Sequence, residues 1–152
     1  MKRFDFKLEP LLKYRKYQER LAQQKTAKAH MDVQDCEMQI SRLLYARSEN
    51  VRNMDQIVDQ GVSAVEFKRY YQYQDAVENS IQQEIVRKRQ LQRILNEKLT
   101  ELKQKSVEKK AMETYREKRR YQYSQEMIRN EQKTMDDILS VKTARKISHE
   151  TR

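Results

Sequence analysis

The stretch DQGVSAVEF, residues 59–67, contains the only glycine in this chain of 152 residues. Gly61 can adopt the positive φ that ends a helix just past its C-terminus. Two residues later, Ser63 and Glu66 have the S-x-x-E spacing of a capping box, in which each side chain accepts a hydrogen bond from the other residue's backbone amide. A helix end followed at once by a helix start predicts a tight turn between two antiparallel helices.

The composition favours long helices on both sides of this turn. The chain has one Pro, no Trp and 37 % charged residues, and its mean hydropathy is -1.13. Intrinsic disorder is the alternative, but disordered chains are typically rich in Pro, Gly and Ser. We therefore expect an all-α fold: a long antiparallel two-helix coiled-coil hairpin over residues 1–152, with a turn near Gly61 and a C-terminal helical overhang. The expected elements are helix one at about 8–59, a turn at 60–63, helix two at about 64–140, and a tail that frays.

Apolar residues recur mostly at spacings of three and four on both arms, which predicts the seam of a coiled coil. The predicted seam residues are Cys36, Ile40, Leu43, Leu44, Val51, Met54 and Val58 on the first arm, and Val77, Ile81, Ile85, Leu91, Leu95, Leu99 and Leu102 on the second. Arg47, Asn50 and Lys88 interrupt this pattern, so we expect an irregular supercoil with polar layers that help to fix the register.

The two arms are unequal in length. With a turn near Gly61, residue i lies opposite roughly residue 122 - i, and residues beyond about 120 have no partner in the first arm. This overhang still carries an apolar stripe of Ile128, Met135, Ile138 and Leu139. A stripe that nothing in its own chain can bury indicates a binding partner.

The charge is distributed unevenly. Residues 1–30 have a net charge of +6 and residues 85–120 a net charge of +8, whereas residues 31–84 have a net charge of -5. The hairpin places the two basic segments side by side, where they repel one another. This arrangement suits a basic end that enters an acidic environment, either a protein collar or a nucleic acid, although a basic surface that only aids solubility is also possible.

No residues have the spacing of a catalytic or metal site. A single glycine excludes a phosphate-binding glycine-rich loop, and His30, Cys36 and His149 are too far apart to bind one metal ion. We expect a non-enzyme without cofactor or metal. The lone cysteine and the lack of a signal peptide or transmembrane segment favour a cytoplasmic protein.

Nine tyrosines are present, several of them beside basic residues, as at Tyr115, Tyr121 and Tyr123. Aromatic and basic residues together can bind single-stranded nucleic acid by stacking. Tyrosines on a long helix more often pack against a partner helix, and no nucleic-acid-binding module is recognisable, so packing is the preferred interpretation.

Three stretches, in order, resemble the FliJ family of the bacterial flagellar type III export apparatus, over nearly the whole chain. They are FDFKLEPLLKYRKYQE at the start, QGVSAVEFKRYYQY at residues 60–73 and RNEQKTMDDI at residues 129–138. The resemblance implies a coiled coil similar to the central stalk of rotary ATPases. Such a protein binds and promotes the hexameric export ATPase and contacts the FlhA-type export gate at the inner face of the cell membrane. Some members also handle empty export chaperones.

The resemblance also implies two sets of contact residues. The expected ATPase-ring contacts are Arg129, Gln132, Lys133, Met135, Asp136 and Asp137, with the basic N-terminal residues steering association. The expected export-gate contacts are Tyr73, Val77, Ser80 and Glu84, which share one helical face. Ser80 and Glu84 are more polar than a hydrophobic docking patch requires.

Three alternatives remain. The first is a basic coiled-coil module that binds nucleic acid or other polyanions non-specifically, with an affinity that falls steeply with salt. The second is the related stalk protein of a virulence type III secretion system, which shares the hairpin. A homodimeric coiled-coil scaffold is less favoured, because the internal turn already supplies a partner helix.

Overall fold

The computed structural model describes the backbone of residues 4–150 and the side chains of residues 4–144. Two helices, α1 (Glu9–Gln60) and α2 (Ala64–Glu150), account for almost all of this part of the chain, and it contains no strand. The helices pack against each other as a helical hairpin, which confirms the predicted fold class. α2 continues to Glu150, further than the expected end near residue 140.

The turn has the predicted geometry. Gly61 has a φ of 86°, and its N–H donates to the Val58 carbonyl oxygen at 3.2 Å. The capping box is also complete, because the Glu66 amide donates to the Ser63 hydroxyl at 3.3 Å and the Ser63 amide donates to the Glu66 carboxylate at 3.3 Å. The Val58 carbonyl group at the end of α1 and the Glu66 amide group at the start of α2 therefore both have a hydrogen-bond partner within the turn.

The chain divides into two packing units. The turn unit comprises residues 18–105, and the terminal unit comprises residues 4–17 together with residues 106–150. In the turn unit, small side chains of α1 such as Ala22 and Ala29 lie opposite larger half-buried side chains of α2 such as Leu102 and Leu95. The buried residues of the turn unit are Ala22, Thr26, Ala29, Val33, Cys36, Asn50, Val77 and Ile81.

The seam of the turn unit is regular in period, contrary to the sequence prediction. Buried and half-buried positions follow one another at alternating steps of three and four from Ala22 to Ile57 on α1 and from Val77 to Leu102 on α2. Arg47, Asn50 and Lys88 occupy positions of this repeat and do not interrupt it. The composition of the seam is irregular, while its spacing is that of an ordinary heptad repeat.

Four of the predicted seam residues are exposed: Leu44, Val51, Val58 and Leu99. Each directly follows a seam position, and one step of about 100° around a helix turns a side chain from the seam towards its edge. The residues that the prediction missed, such as Ala22, Thr26 and Ala29, are small or polar and carry a weak hydrophobic signal.

Polar side chains within the seam find partners. The Asn50 side-chain amide donates to the Gln74 side-chain oxygen at 2.9 Å and to the Tyr70 carbonyl oxygen at 3.3 Å. The Thr26 hydroxyl lies 3.2 Å from the Lys98 carbonyl oxygen on the facing helix. Because a buried polar group without a partner costs free energy, these contacts favour one register over its neighbours.

The cross-helix partners correct the expected register. The residue numbers of Thr26 and Lys98, and of Asn50 and Gln74, both add to 124, whereas the prediction used 122. The turn is centred on Val62, the middle of the three residues between the helices, and not on Gly61. The prediction was therefore wrong by about two residues.

Replacing Gly61 by alanine tests the backbone requirement of the turn. No heavy atom lies within 4 Å of a Cβ added at Gly61, so the penalty comes from the positive φ alone. We expect Gly61→Ala to lower the free energy of unfolding by about 1–2 kcal/mol, and Gly61→Asn to lower it by less, because Asn tolerates this conformation better. Thermal unfolding followed by circular dichroism measures both, and an unchanged Gly61→Ala protein would contradict the prediction.

Replacing Asn50 tests the polar layer. We expect Asn50→Ala to lower the free energy of unfolding by about 1–3 kcal/mol, because Gln74 loses its partner. The double variant Asn50→Leu with Gln74→Leu removes both polar groups and is expected to be at least as stable as the parent protein. Urea unfolding compares the three proteins, and equal losses in the single and double variants would be inconsistent with a paired polar layer.

Candidate protein-interaction surfaces

The terminal unit begins with a short non-helical strap, residues 4–8, which packs on α2. The Phe6 ring is buried and lies 6.0 Å from the Tyr115 ring, centroid to centroid. The Phe4 ring lies 5.6 Å from the Tyr123 ring. These tilted aromatic pairs hold the strap against α2, and Leu12 is completely buried beside them. The F-x-F spacing at residues 4–6 is the sequence signal for this contact, which the sequence analysis used only as part of the family resemblance.

Ion pairs between the helices reduce the repulsion that the sequence predicts between the basic segments. In the terminal unit Glu108 binds Arg15, Glu113 lies 3.4 Å from the Lys16 ammonium, and Glu9 contacts Arg116. These three acidic side chains thus lie where the two helices meet. The excess positive charge remains on outward-facing side chains, including Lys110, Lys118, Arg119 and Arg120, all of which are exposed.

The turn unit contains similar pairs. The neighbouring Lys98 and then Lys25 hold the pKa of Glu101 below its ordinary value of 4.5, and Arg47, followed by Gln82, lowers the pKa of Glu78. A carboxyl group with a lowered pKa stabilises the folded state above its unfolded pKa, and this contribution is lost as the pH falls through the folded pKa. Both carboxylates are exposed, so solvent screening keeps the effect small.

The overhang is the part of α2 from residue 128 to residue 144, where every described side chain is exposed. Four of its apolar residues, Ile128, Met135, Ile138 and Leu139, lie within an arc of about 100° and form an apolar stripe. Val141, which is 52 % exposed, lies outside this arc, about 120° from Met135 and about 40° from Asp137. Met135 is 65 % exposed. Ile128 follows Tyr123, which contacts the strap, by five residues and is therefore about 140° further around the helix. On the same count Ile138 lies about 60° and Leu139 about 160° from Tyr123, so the apolar stripe lies to one side of the face of α2 that contacts the strap.

The residues predicted to contact an ATPase ring are all exposed, but they do not share one face. Gln132 lies within about 60° of Met135, whereas Lys133 and Asp137 lie about 160° from it. The overhang therefore has an apolar side with Met135 and a charged side with Lys133 and Asp137.

The residues predicted to contact an export gate do not form an exposed patch. Tyr73 is exposed, but Val77 is only 6 % exposed and belongs to the seam. Glu84 contacts the buried Cys36 thiol at 3.4 Å, and the half-buried Ser80 donates to the Ala76 carbonyl oxygen at 2.9 Å. The four residues share a helical face, as predicted, but that face lies half in the seam.

Cys36 is buried in the seam between the two helices. Burial and the adjacent Glu84 raise the pKa of the Cys36 thiol, with Arg87 and Lys88 acting in the opposite direction. Among the described residues, no three His, Cys, Asp or Glu side chains are grouped closely enough to hold a metal ion. The side chain of His149 lies outside the described residues.

Comparison with known protein families identifies the chain. The family model described as Flagellar FliJ protein matches residues 4–148. The chain belongs to the FliJ family. The comparison with curated proteins found no match, and neither did the comparison with solved structures.

As a member of the FliJ family, the chain is a component of the flagellar type III export apparatus, which acts through protein partners. This confirms the resemblance that the three sequence stretches carried. Within the described residues of this FliJ protein, neither helix contains a segment apolar enough to span a membrane.

The division of this FliJ protein into a packed hairpin and an exposed overhang can be tested by matched truncations of side chains. We expect Leu12→Ala to lower the free energy of unfolding by about 2–5 kcal/mol, because it leaves a cavity in the terminal unit. Met135→Ala is expected to change it by less than about 0.5 kcal/mol. Chemical denaturation gives both values, and a large loss for Met135→Ala would show that the overhang is packed against the chain's own residues.

Proposed function

We propose that this FliJ protein acts as a stalk-like, non-catalytic component that binds the hexameric flagellar export ATPase through the overhang and promotes its activity. The observation that carries the proposal is the apolar stripe of Ile128, Met135, Ile138 and Leu139, which is exposed along its whole length. Exposed stripes of this kind are typical of surfaces that a partner covers.

A ring that surrounds the overhang suits its two-sided character. The apolar side with Met135 can bind an apolar surface of one subunit, while Lys133 and Asp137 on the other side face a different subunit. A single docking surface cannot contact both sides at once, whereas the inner wall of a ring can. A ring can therefore accommodate predicted contact residues that point in nearly opposite directions from the helix.

The exposed cations near the strap supply long-range attraction. Lys118, Arg119 and Arg120 are exposed on consecutive positions of α2. A basic surface steers association with an acidic partner, and this contribution to the association rate falls with salt. The apolar contact at Met135 provides affinity that is much less sensitive to salt.

We further propose that the turn unit links the ATPase to the FlhA-type export gate and to empty export chaperones, at the inner face of the cell membrane. Of the predicted gate contacts, Tyr73 is the accessible one, being 49 % exposed, and it lines a shallow surface depression together with Glu66, Arg69 and Tyr70. Val77 supports this surface from within the seam and is not itself a contact residue. Tyrosine and phenylalanine provide large contact areas and are frequent anchors of protein interfaces.

The ATPase assay with overhang variants tests the proposal. The activity of the cognate hexameric export ATPase is measured with this protein added, at low and at moderate salt. We expect stimulation that persists at moderate salt, and at least a tenfold rise in the concentration needed for half-maximal stimulation with Met135→Asp, because a carboxylate on the apolar side must be desolvated.

Asn130→Asp is the matched control. It introduces the same charge about 140° around the helix from Met135, and we expect it to leave stimulation nearly unchanged. No stimulation at either salt concentration would refute the ATPase contact. An effect that disappears at moderate salt and does not depend on Met135 would instead favour the binding of nucleic acid or another polyanion.

A further inference from the structure

The turn unit has an apolar edge that its own packing covers only in part. On α1 it consists of Leu44, Val51 and Val58, which are 40 %, 39 % and 48 % exposed. On α2 it continues with Tyr71, which is 64 % exposed, and with the half-buried Ile85. We call these five residues the apolar edge.

The residues of the apolar edge occupy equivalent positions of the heptad repeat. Each directly follows the second seam residue of its heptad, and such positions of two antiparallel helices lie along the same edge of the pair. Leu44, Val51 and Val58 are spaced seven residues apart, so they form a continuous line on α1.

The opposite edge differs in chemistry. On α1 it includes Lys25, Asp32, Gln39, Ala46 and Asn53, and an ion pair between Lys25 and Glu101 at 3.8 Å crosses it. On α2 it includes the exposed Tyr73 and Ile94, so the contrast between the two edges lies on α1. A two-stranded coiled coil normally has polar residues at both edges, whereas an apolar surface that extends from the seam onto one edge is typical of helices that pack in a larger bundle.

Two acidic residues at the apolar edge are each paired with a cation. Glu37 lies 2.8 Å from the Lys88 ammonium, and Glu78 lies 3.0 Å from the Arg47 guanidinium. In both pairs, a cation in the seam reaches an acidic residue at the edge. A helix docked along the edge would therefore not bury an unpaired charge.

We propose that the apolar edge binds an amphipathic helix of a second protein, with apolar residues at intervals of three, four and seven and with basic flanks. Helix-in-groove recognition requires this spacing. The basic flanks follow from charge, since residues 31–84, which contain most of the edge, carry ten acidic and five basic residues. A second copy of this chain fits less well, because symmetric pairing would place the same acidic segment against itself.

A designed probe tests this surface directly. The probe is a fluorescent peptide of about three heptads with leucine on one face and lysine elsewhere, and a peptide of the same composition in scrambled order is the control. Binding to the full-length protein at moderate salt is measured by fluorescence anisotropy. We expect the amphipathic peptide to bind, and Leu44→Gln with Val51→Gln to weaken binding at least about tenfold.

The matched control replaces two exposed apolar residues of α1 that lie outside the edge, Met31→Gln with Met38→Gln, and it is expected to bind as the parent protein does. Both variants should keep the parent's helical circular dichroism and melting temperature, since the replaced side chains lie outside the seam. Equal losses in the two variants, equal binding of the scrambled peptide, or a loss only with Met135→Asp would overturn the proposal. Concentration-dependent self-association of the parent protein in sedimentation experiments, abolished by Leu44→Gln with Val51→Gln, would overturn it in favour of a second copy.

Discussion

The reversal at Gly61 is the constraint on which the rest of the hairpin depends. The turn has only three residues between the helices, so once Gly61 adopts its positive φ and Ser63 caps α2, the pairing of every later layer is determined. An error of one residue in the position of the turn moves each partner by two residues, which is more than half a helical turn. The turn therefore decides which side chains form the seam, and through the seam it decides which apolar residues are left outside.

Small and polar residues give the seam of the turn unit its specificity. Ala22, Ala29 and Cys36 allow α1 and α2 to approach closely, but each contributes less apolar area than a leucine would. Asn50 makes hydrogen bonds to the facing helix that depend on the observed register, and Glu37 and Glu78 form ion pairs with Lys88 and Arg47 of the seam. Such layers favour a single arrangement at some cost in stability, as polar residues do in the cores of other coiled coils.

The sequence was sufficient to predict the hairpin, the turn, the capping box and the overhang, because these depend on local chemistry at Gly61, Ser63 and Glu66 and on a composition that excludes other folds. It was insufficient to separate seam from edge. Leu43 and Leu44, or Ile57 and Val58, are adjacent apolar residues, and a helical period read from hydrophobicity alone cannot say which of two neighbours faces inward. The periodicity did place Val77 correctly in the seam, where its side chain is only 6 % exposed, whereas its place among the gate contacts came from the family resemblance alone.

The apolar residues outside the seam are exposed for a common physical reason. A two-helix hairpin buries about one side of each helix, so any apolar side chain beyond that side remains in water unless a partner covers it. The stripe of the overhang is exposed along its length, so a partner can bind it without displacing α1. The apolar edge of the turn unit lies beside the seam, where a further helix would extend the existing core. One surface is thus suited to a partner that surrounds a single helix, and the other to a partner that contributes a helix of its own.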